Sequence, residues 1–155
     1  MRTIKFRGKR LNNGEWVYGS LTQSETHNKN GEPFMVSYIA PFIPVGSECG
    51  FELVKMDRVT PTTVGQFTGL HDKNGTPIYE GDIVEHPYID PIFGDLVEMK
   101  DGKGVKSVVV FHEGAFCVRY GEDVFYYLDQ FTRHNHIEVI SNVFDNPELM
   151  KGGEQ

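Results

Sequence analysis

Apolar and polar residues alternate over short runs along most of the chain. Residues 3–7 alternate in this way, and a second run, residues 16–21, follows the turn-forming Asn12-Asn13-Gly14. β-branched and aromatic residues favour strands, and a period of two places successive side chains on opposite faces of a sheet. The pattern therefore predicts an N-terminal β-hairpin.

Further strands are predicted between turns rich in glycine, asparagine, aspartate and proline. Residues 57–69 have the composition of two short strands around Pro61, and a second hairpin turns at Glu113-Gly114. The other predicted strands are residues 34–40, 106–111, 115–120 and 137–140. Pro41 and Pro44 restrict the segment after the first of these to an edge strand or a loop.

Helical signals are confined to the C-terminal part. Residues 122–131 are ambiguous, because the apolar residues have helical spacing while the aromatic content favours a strand; a short helix is the preferred interpretation. Asn146-Pro147 has the form of a capping residue followed by proline at the first helical position. The predicted fold class is mainly β (β-rich α+β), with short antiparallel strands forming small barrel-like sheets and one or two short helices near the C-terminus.

Length and composition favour one domain. A chain of 155 residues can bury a core without disulfides or metals, so we predict a single domain over residues 1–150, with a subdivision into residues 1–60 and 61–150 as an alternative, and a flexible tail over residues 151–155. No apolar stretch has the roughly 18 residues of a membrane span. Cys49 and Cys117 are isolated in sequence, which fits a reducing compartment, so a cytoplasmic location is expected.

The charge is unevenly distributed along the chain. The net charge is −7, from 22 acidic and 15 basic residues. Residues 1–50 nevertheless hold six bases and four acids. A polyanion would be repelled by the chain as a whole, so nucleic-acid binding would depend on the basic N-terminal segment.

Four segments of the sequence resemble the YopX family of phage and prophage proteins. They are residues 4–10 (IKFRGKR), residues 14–19 (GEWVYG), residues 64–84 (VGQFTGLHDKNG followed by IYEGDIV) and residues 138–149 (EVISNVFDNPEL). Phe67, Ser141 and Val143-Phe144 are mild departures from the family pattern. The resemblance implies a small β-rich, phage-encoded protein, in a family where some members form homo-oligomers, and it supplies no catalytic residues.

Candidate metal sites are incomplete. His134-Asn135-His136 shares its letters with a nuclease class, but in those enzymes the named residues are dispersed through a ββα metal site. A zinc ion would need further ligands, such as His112 or Cys117, that nothing in the sequence places nearby. Solvated loop histidines are the favoured interpretation, and no metal or cofactor is predicted.

The acidic residues and glycines also favour structural roles. Asp72-Lys73-Asn74-Gly75 resembles the start of a calcium loop, but Ile83 stands where the last acidic ligand belongs, so a hairpin turn is preferred. Asp82 could join an acidic cluster, yet a turn carboxylate is favoured. The glycines match no phosphate-binding motif and no catalytic triad can be assembled, so the sequence predicts a protein that is not an enzyme.

The basic N-terminal strand has two interpretations. Arg7, Lys9 and Arg10 lie close to Trp16 and Tyr18 in the predicted hairpin, which offers phosphate neutralisation and stacking surfaces for nucleic acid. Alternation also explains these bases as the solvated face of a strand, and this second interpretation is favoured.

Two functional hypotheses remain. The first is a non-enzymatic module that forms homo-oligomers and binds a phage or host protein. Its candidate contact residues are Trp16, Tyr18, Phe34, Tyr38 and Phe42. The second is an accessory protein that binds nucleic acid through Arg7, Lys9 and Arg10.

Overall fold

The computed structural model describes residues 4–41, 55–90, 96–97, 104–121 and 123–150. The chain is built mainly of antiparallel strands and divides into two compact units, Met1–Phe67 and Thr68–Gln155. The division falls within a strand, since pairing of Phe6 with Gln66 ties the beginning of that strand to the first unit. A single domain over residues 1–150 stays a prediction.

The N-terminal unit is built on one antiparallel sheet. Its strands are β1 (Phe6–Lys9), β2 (Trp16–His27), β3 (Pro33–Pro41), β4 (Asp57–Val59) and the first part of β5 (Gly65–His71). They lie in the order β4-β3-β2-β1-β5. The predicted hairpin of β1 and β2 is confirmed, and a 3₁₀ turn at Pro61–Thr63 separates β4 from β5, as the sequence around Pro61 indicates.

The core of this unit lies against one face of the sheet. Val17, Ile39 and Val59 are buried, and each comes from a different strand. Partly buried Phe6, Leu21 and Val64 pack against them. Each fully buried aliphatic side chain contributes about 1.5–3 kcal/mol, so the alternation in the sequence selects which face of the sheet is buried.

The C-terminal unit contains a second antiparallel sheet. The strands of this unit are the rest of β5, β6 (Pro77–Tyr79), β7 (Asp82–His86), β8 (Tyr88–Ile89), β9 (Leu96–Val97), β10 (Val105–His112), β11 (Ala115–Tyr120), β12 (Val124–Tyr127) and β13 (Glu138–Asn142). The five-stranded sheet has the order β12-β11-β10-β7-β13, β8 pairs with β9, and β6 lies beside β5.

The predicted hairpin at Glu113-Gly114 is confirmed. Glu113 has φ 46° and Gly114 has φ 86°. Two successive residues with positive φ form the tight turn whose twist matches that of paired strands. This turn fixes the register in which His112 faces Ala115.

The second core lies between the five-stranded sheet and the short helix. Its buried members are Ile78, Val84, Ile89, Val109, Val118, Leu128, Phe131 and Ile137. The α-helix α1 (Leu128–Thr132) supplies Leu128 and Phe131, and a 3₁₀ turn at Pro147–Met150 ends the described chain. The predicted mainly β fold with one or two short helices near the C-terminus is confirmed.

Two details qualify the sequence-based expectations. The N-terminal sheet curls so that Arg10, just after β1, bridges Val59 of β4, as in a barrel-like sheet, but no closed barrel forms among the described strands. The segment 122–131 is not one helix, since residues 124–127 form β12 and only the residues that follow are helical. Pairing of Tyr126 with Val118 overrides the helical spacing there.

Both the backbone conformation and the neighbouring side chain require glycine at position 81. It has φ 83°, and a Cβ atom at this position would lie 2.9 Å from Cε2 of Phe144. Gly75 has the similar φ of 81° but open space around it. Comparing alanine substitutions at the two positions therefore separates the free-energy cost of the backbone conformation from that of the collision.

We expect Gly81→Ala to destabilise the C-terminal unit more than Gly75→Ala. The second substitution should cost about 1–2 kcal/mol for a left-handed alanine, and the first should add about 1–3 kcal/mol for the collision with Phe144. Urea unfolding measures both. A Gly81→Ala/Phe144→Leu double variant should recover part of the additional loss, and equal destabilisation by the two glycine substitutions would contradict the collision.

Candidate binding face

The register of β1 and β2 places basic and aromatic side chains on one face of the N-terminal sheet. Arg7 is opposite Tyr18, and Lys9 is opposite Trp16. Directly opposed residues of an antiparallel pair share a face, and this face is the reverse of the one that carries Val17 into the core. The hairpin therefore sorts its residues into an apolar inner face and a basic outer face.

The same face continues across the neighbouring strands. Tyr38 is opposite Thr22 and Arg58, and Phe34 is opposite Thr26, all at outer positions. We name the combined surface the basic–aromatic face; it consists of Lys5, Arg7, Lys9, Trp16, Tyr18, Phe34, Tyr38, Arg58 and Phe67. It gathers every predicted contact aromatic except Phe42, which lies outside the described residues.

Cations of this face lie over its aromatic rings. The Lys5 Nζ atom is 4.3 Å from the centroid of the Phe67 ring. The guanidinium carbon of Arg7 is 4.7 Å from the Trp16 ring centroid, and Lys9 Nζ is 5.5 Å from that same centroid. Such cation–π contacts attract because the ring faces are electron-rich. They hold the positive charges and the rings in fixed positions relative to one another.

Exposure differs among the residues of the face. The Tyr18 side chain is 48% exposed and Phe34 is 40% exposed, whereas Arg7 is only 6% exposed. Lys9 and Trp16 are half-buried. Arg7 therefore acts mainly as the cation that packs on Trp16, and the accessible charge of the face comes from the lysines and from exposed Arg58.

Arg10 does not belong to the basic–aromatic face. It forms ion pairs with Glu15 at 3.0 Å and Asp57 at 3.1 Å. Asp57 is opposite Ile39, so it lies on the core side of the sheet. The predicted trio of nucleic-acid residues is thus divided: Arg7 and Lys9 lie together, while the charge of Arg10 is neutralised elsewhere.

Acidic residues are absent from the outer positions of the described strands β1–β4. Asp57 and Glu25 occupy the opposite face by register, and Glu15 and Glu32 lie outside the strands. All charged residues at the outer positions of the described strands β1–β4 are therefore basic, in a chain of net charge −7. Sequence order alone conceals this segregation, because basic and acidic residues follow one another along the chain.

The C-terminal unit contains a buried histidine and serine that are hydrogen-bonded to each other. His86 Nδ1 lies 2.7 Å from the carbonyl oxygen of Pro87, and Nε2 lies 2.8 Å from Ser107 Oγ. The carbonyl can only accept, so Nδ1 carries the proton and Nε2 accepts from the hydroxyl. Ser107 is fully buried, and the His86 ring packs 4.2 Å from Phe131. This serine–histidine pair, which the sequence did not reveal, belongs to the core.

Burial makes His86 sensitive to acid. Desolvation lowers the pKa of His86 and outweighs the hydrogen bond to Pro87 and the charge of Glu85, which raise it. Because the pKa of His86 is lowered in the folded state, the unfolded chain binds the proton more readily once the pH is below about 6.5, the ordinary pKa of histidine. Stability is then present above that pH and is lost as the pH falls below it.

We expect the free energy of unfolding to decrease between pH 7 and pH 5 by up to about 1.4 kcal/mol per pH unit from His86 alone. Urea denaturation across this range measures the slope. His86→Gln should remove the His86 part of it. Identical slopes for the wild type and His86→Gln would contradict the assignment.

The predicted turn carboxylates have the contacts expected of them. Asp72 Oδ1 accepts hydrogen bonds from the backbone N–H groups of Asn74 and Thr76, each at 2.8 Å. Asp82 Oδ2 accepts one from the backbone of Tyr79 at 2.7 Å. Both carboxylates are buried. Their positions fit turns in the backbone rather than a calcium loop.

The candidate metal residues do not assemble in the part of the chain that the structure describes. The rings of His134 and His136 are 6.0 Å apart and exposed, in a turn rather than a strand. His112 stacks on Phe125, and burial raises the pKa of the Cys117 thiol. No group of three or more potential ligand side chains occurs among the described residues.

Antiparallel sheets and short C-terminal helices define the chain as a small β protein. The chain belongs to the YopX protein family, whose model matches residues 5–151, so the resemblance read from the four sequence segments is confirmed. It is also similar to the crystal structure of protein EF1440 from Enterococcus faecalis, with 20% identity and a TM-score of 0.51 over 97% of this chain and 99% of that chain. At this identity the likeness shows the fold alone. No curated protein matches the chain.

No helix among the described residues is long and apolar enough to cross a membrane.

Proposed function

We propose that this protein is a non-enzymatic interaction module that binds an anionic partner on the basic–aromatic face. The observation that carries the proposal is the segregation of Lys5, Lys9 and Arg58 with the exposed rings of Tyr18 and Phe34 on one sheet face, where the outer positions of the described strands β1–β4 lack acids. Buried Ser107, His86 and Asp72 already serve the fold, which supports binding rather than catalysis. A role in a phage or prophage and a cytoplasmic location are part of the proposal, on the family resemblance and the isolated cysteines.

Retention on immobilised heparin tests the face as an anion-binding surface. The full chain should be retained at low salt despite its charge of −7, and Lys9→Glu should elute earlier. Lys29→Glu is the matched control, because it makes the same charge change in an exposed turn of the same unit. No retention, or equal shifts for the two variants, would overturn the proposal.

Self-association is the second part of the proposal, and strand β12 supports it. This strand ends its sheet among the described strands and contains only Val124, Phe125, Tyr126 and Tyr127. Tyr127 is 58% exposed and Val124 is 41% exposed. Natural edge strands are usually protected by charged residues or proline, and β12 has neither. A second copy pairing along this edge would satisfy its backbone groups.

Sedimentation velocity over a range of concentrations tests the association. The wild type should form a defined oligomer, and Tyr127→Lys should shift it towards monomer. Phe111→Lys is the control, because Phe111 is an aromatic residue of similar exposure (55%) on an interior strand of the same sheet. A wild-type monomer at the highest concentration would overturn this part of the proposal.

A further inference from the structure

The basic–aromatic face presents two half-buried lysines along one extended segment. Lys5 and Lys9 are four residues apart, so their Cα atoms are about 13 Å apart, and Arg7 between them is only 6% exposed. An extended polyanion can approach both lysines at once, which a compact anion cannot. The ligand that matches the array is therefore a linear chain of negative charges.

The rings of the face add a second kind of recognition. Tyr18 is 48% exposed opposite Arg7, whereas Phe67 is buried beneath Lys5 and half-buried Trp16 lies beneath Arg7 and Lys9. Cations and aromatic rings are the two components of surfaces that bind single-stranded nucleic acid. The nucleobases stack on the rings, and the phosphates lie near lysine and arginine side chains. An acidic peptide would use the charges but leave the rings without a stacking partner.

We infer that the basic–aromatic face binds single-stranded nucleic acid, with bases stacked on Tyr18 and the backbone near Lys5 and Lys9. The inference rests on the proposed function and names its partner. A duplex hides the faces of its bases within the helix, so an exposed ring such as Tyr18 favours the unpaired strand. The net charge of −7 repels nucleic acid elsewhere, which confines binding to this face.

Fluorescence anisotropy of a labelled oligothymidylate with the full chain tests the inference. The affinity for the oligonucleotide should exceed that for a duplex of equal length and for polyglutamate, and should fall steeply between about 50 mM and about 200 mM salt. Tyr18→Ala should weaken binding about tenfold and Tyr18→Phe should restore most of it, since one stacked base contributes about 1–3 kcal/mol. Lys9→Glu should weaken binding, while Lys29→Glu should not.

Each outcome decides a separate claim. No binding of the oligonucleotide at low salt, or binding no tighter than that of polyglutamate, overturns the nucleic-acid assignment. If heparin retention still depends on Lys9 in that case, the face remains an anion-binding surface and an acidic protein is its partner. If heparin retention also fails, the proposed function is wrong. Duplex binding as tight as oligothymidylate binding overturns the preference for single strands.

Discussion

Gly19→Ala will destabilise the N-terminal unit by about 3 kcal/mol or more. Gly19 lies in β2, and a Cβ atom there would overlap the carbonyl oxygen of Ala40 on β3. The obstacle is backbone rather than a side chain that can rotate away, so the two strands must separate. Their separation would also displace neighbouring Tyr18 from the basic–aromatic face.

Urea unfolding followed by Trp16 fluorescence measures this loss, because Trp16 is the single tryptophan of the chain and lies in the same sheet. Ser20→Ala is the matched control: Ser20 is the next residue along β2, and it is exposed. It should change the free energy of unfolding by less than about 0.5 kcal/mol. Similar midpoints for Gly19→Ala and the wild type would show that β2 and β3 are not as close as described.

Asp72→Ala should have the second largest effect, a loss of about 3–5 kcal/mol in the C-terminal unit. Besides the two N–H groups of its own turn, Asp72 accepts a hydrogen bond at 3.0 Å from the backbone N–H of Val139 on β13. Each buried donor left without a partner costs about 1–3 kcal/mol. One carboxylate thus joins the turn after β5 to a strand distant in sequence.

The pKa of Asp72 agrees with this role. Burial is the largest single influence and raises the pKa, but the hydrogen bonds from Val139, Thr76 and Asn74 together lower it below the ordinary value. The ionised form therefore stabilises the fold at neutral pH, and its contribution is lost only as the pH falls below about 4 and through the lowered folded-state value.

Amide hydrogen exchange measures the loss of the single hydrogen bond that Asp72 accepts from Val139. The Val139 amide should lose protection in both Asp72→Ala and Asp72→Asn, because an asparagine Nδ2 cannot accept from it. Asp72→Asn should lose less stability overall, since Oδ1 can still accept from the turn. Exposed Asp123→Asn serves as the control, and unchanged protection of Val139 in Asp72→Ala would refute the link.

Local sequence patterns predict much of the fold because strands and tight turns leave local signals. The glycines and asparagines at residues 12–14, 72–75 and 113–114 mark turns correctly, and alternation identifies β1, β10 and β11. The segment 122–131 is misjudged because its strand exists through pairing with β11, a contact between separate parts of the chain. The bridge between Arg10 and Val59 of β4 is likewise a contact between separate parts of the chain.

The candidate face is predicted only in part for the same reason. Its residues stand out in the sequence as bases and aromatics, but the register of β1 against β2 decides that Lys9 joins Trp16. Arg10 is one residue further along, and the pleat turns it towards Asp57. The buried pair of His86 and Ser107 joins residues of two strands and gives no local signal.

Trp16 fluorescence during titration with oligothymidylate reports binding at the basic–aromatic face itself, since the ring lies within that face. Binding there should produce a saturable change in emission at low salt that reverses when salt is added. Emission that stays constant in excess oligothymidylate at low salt, with the protein folded, would contradict it.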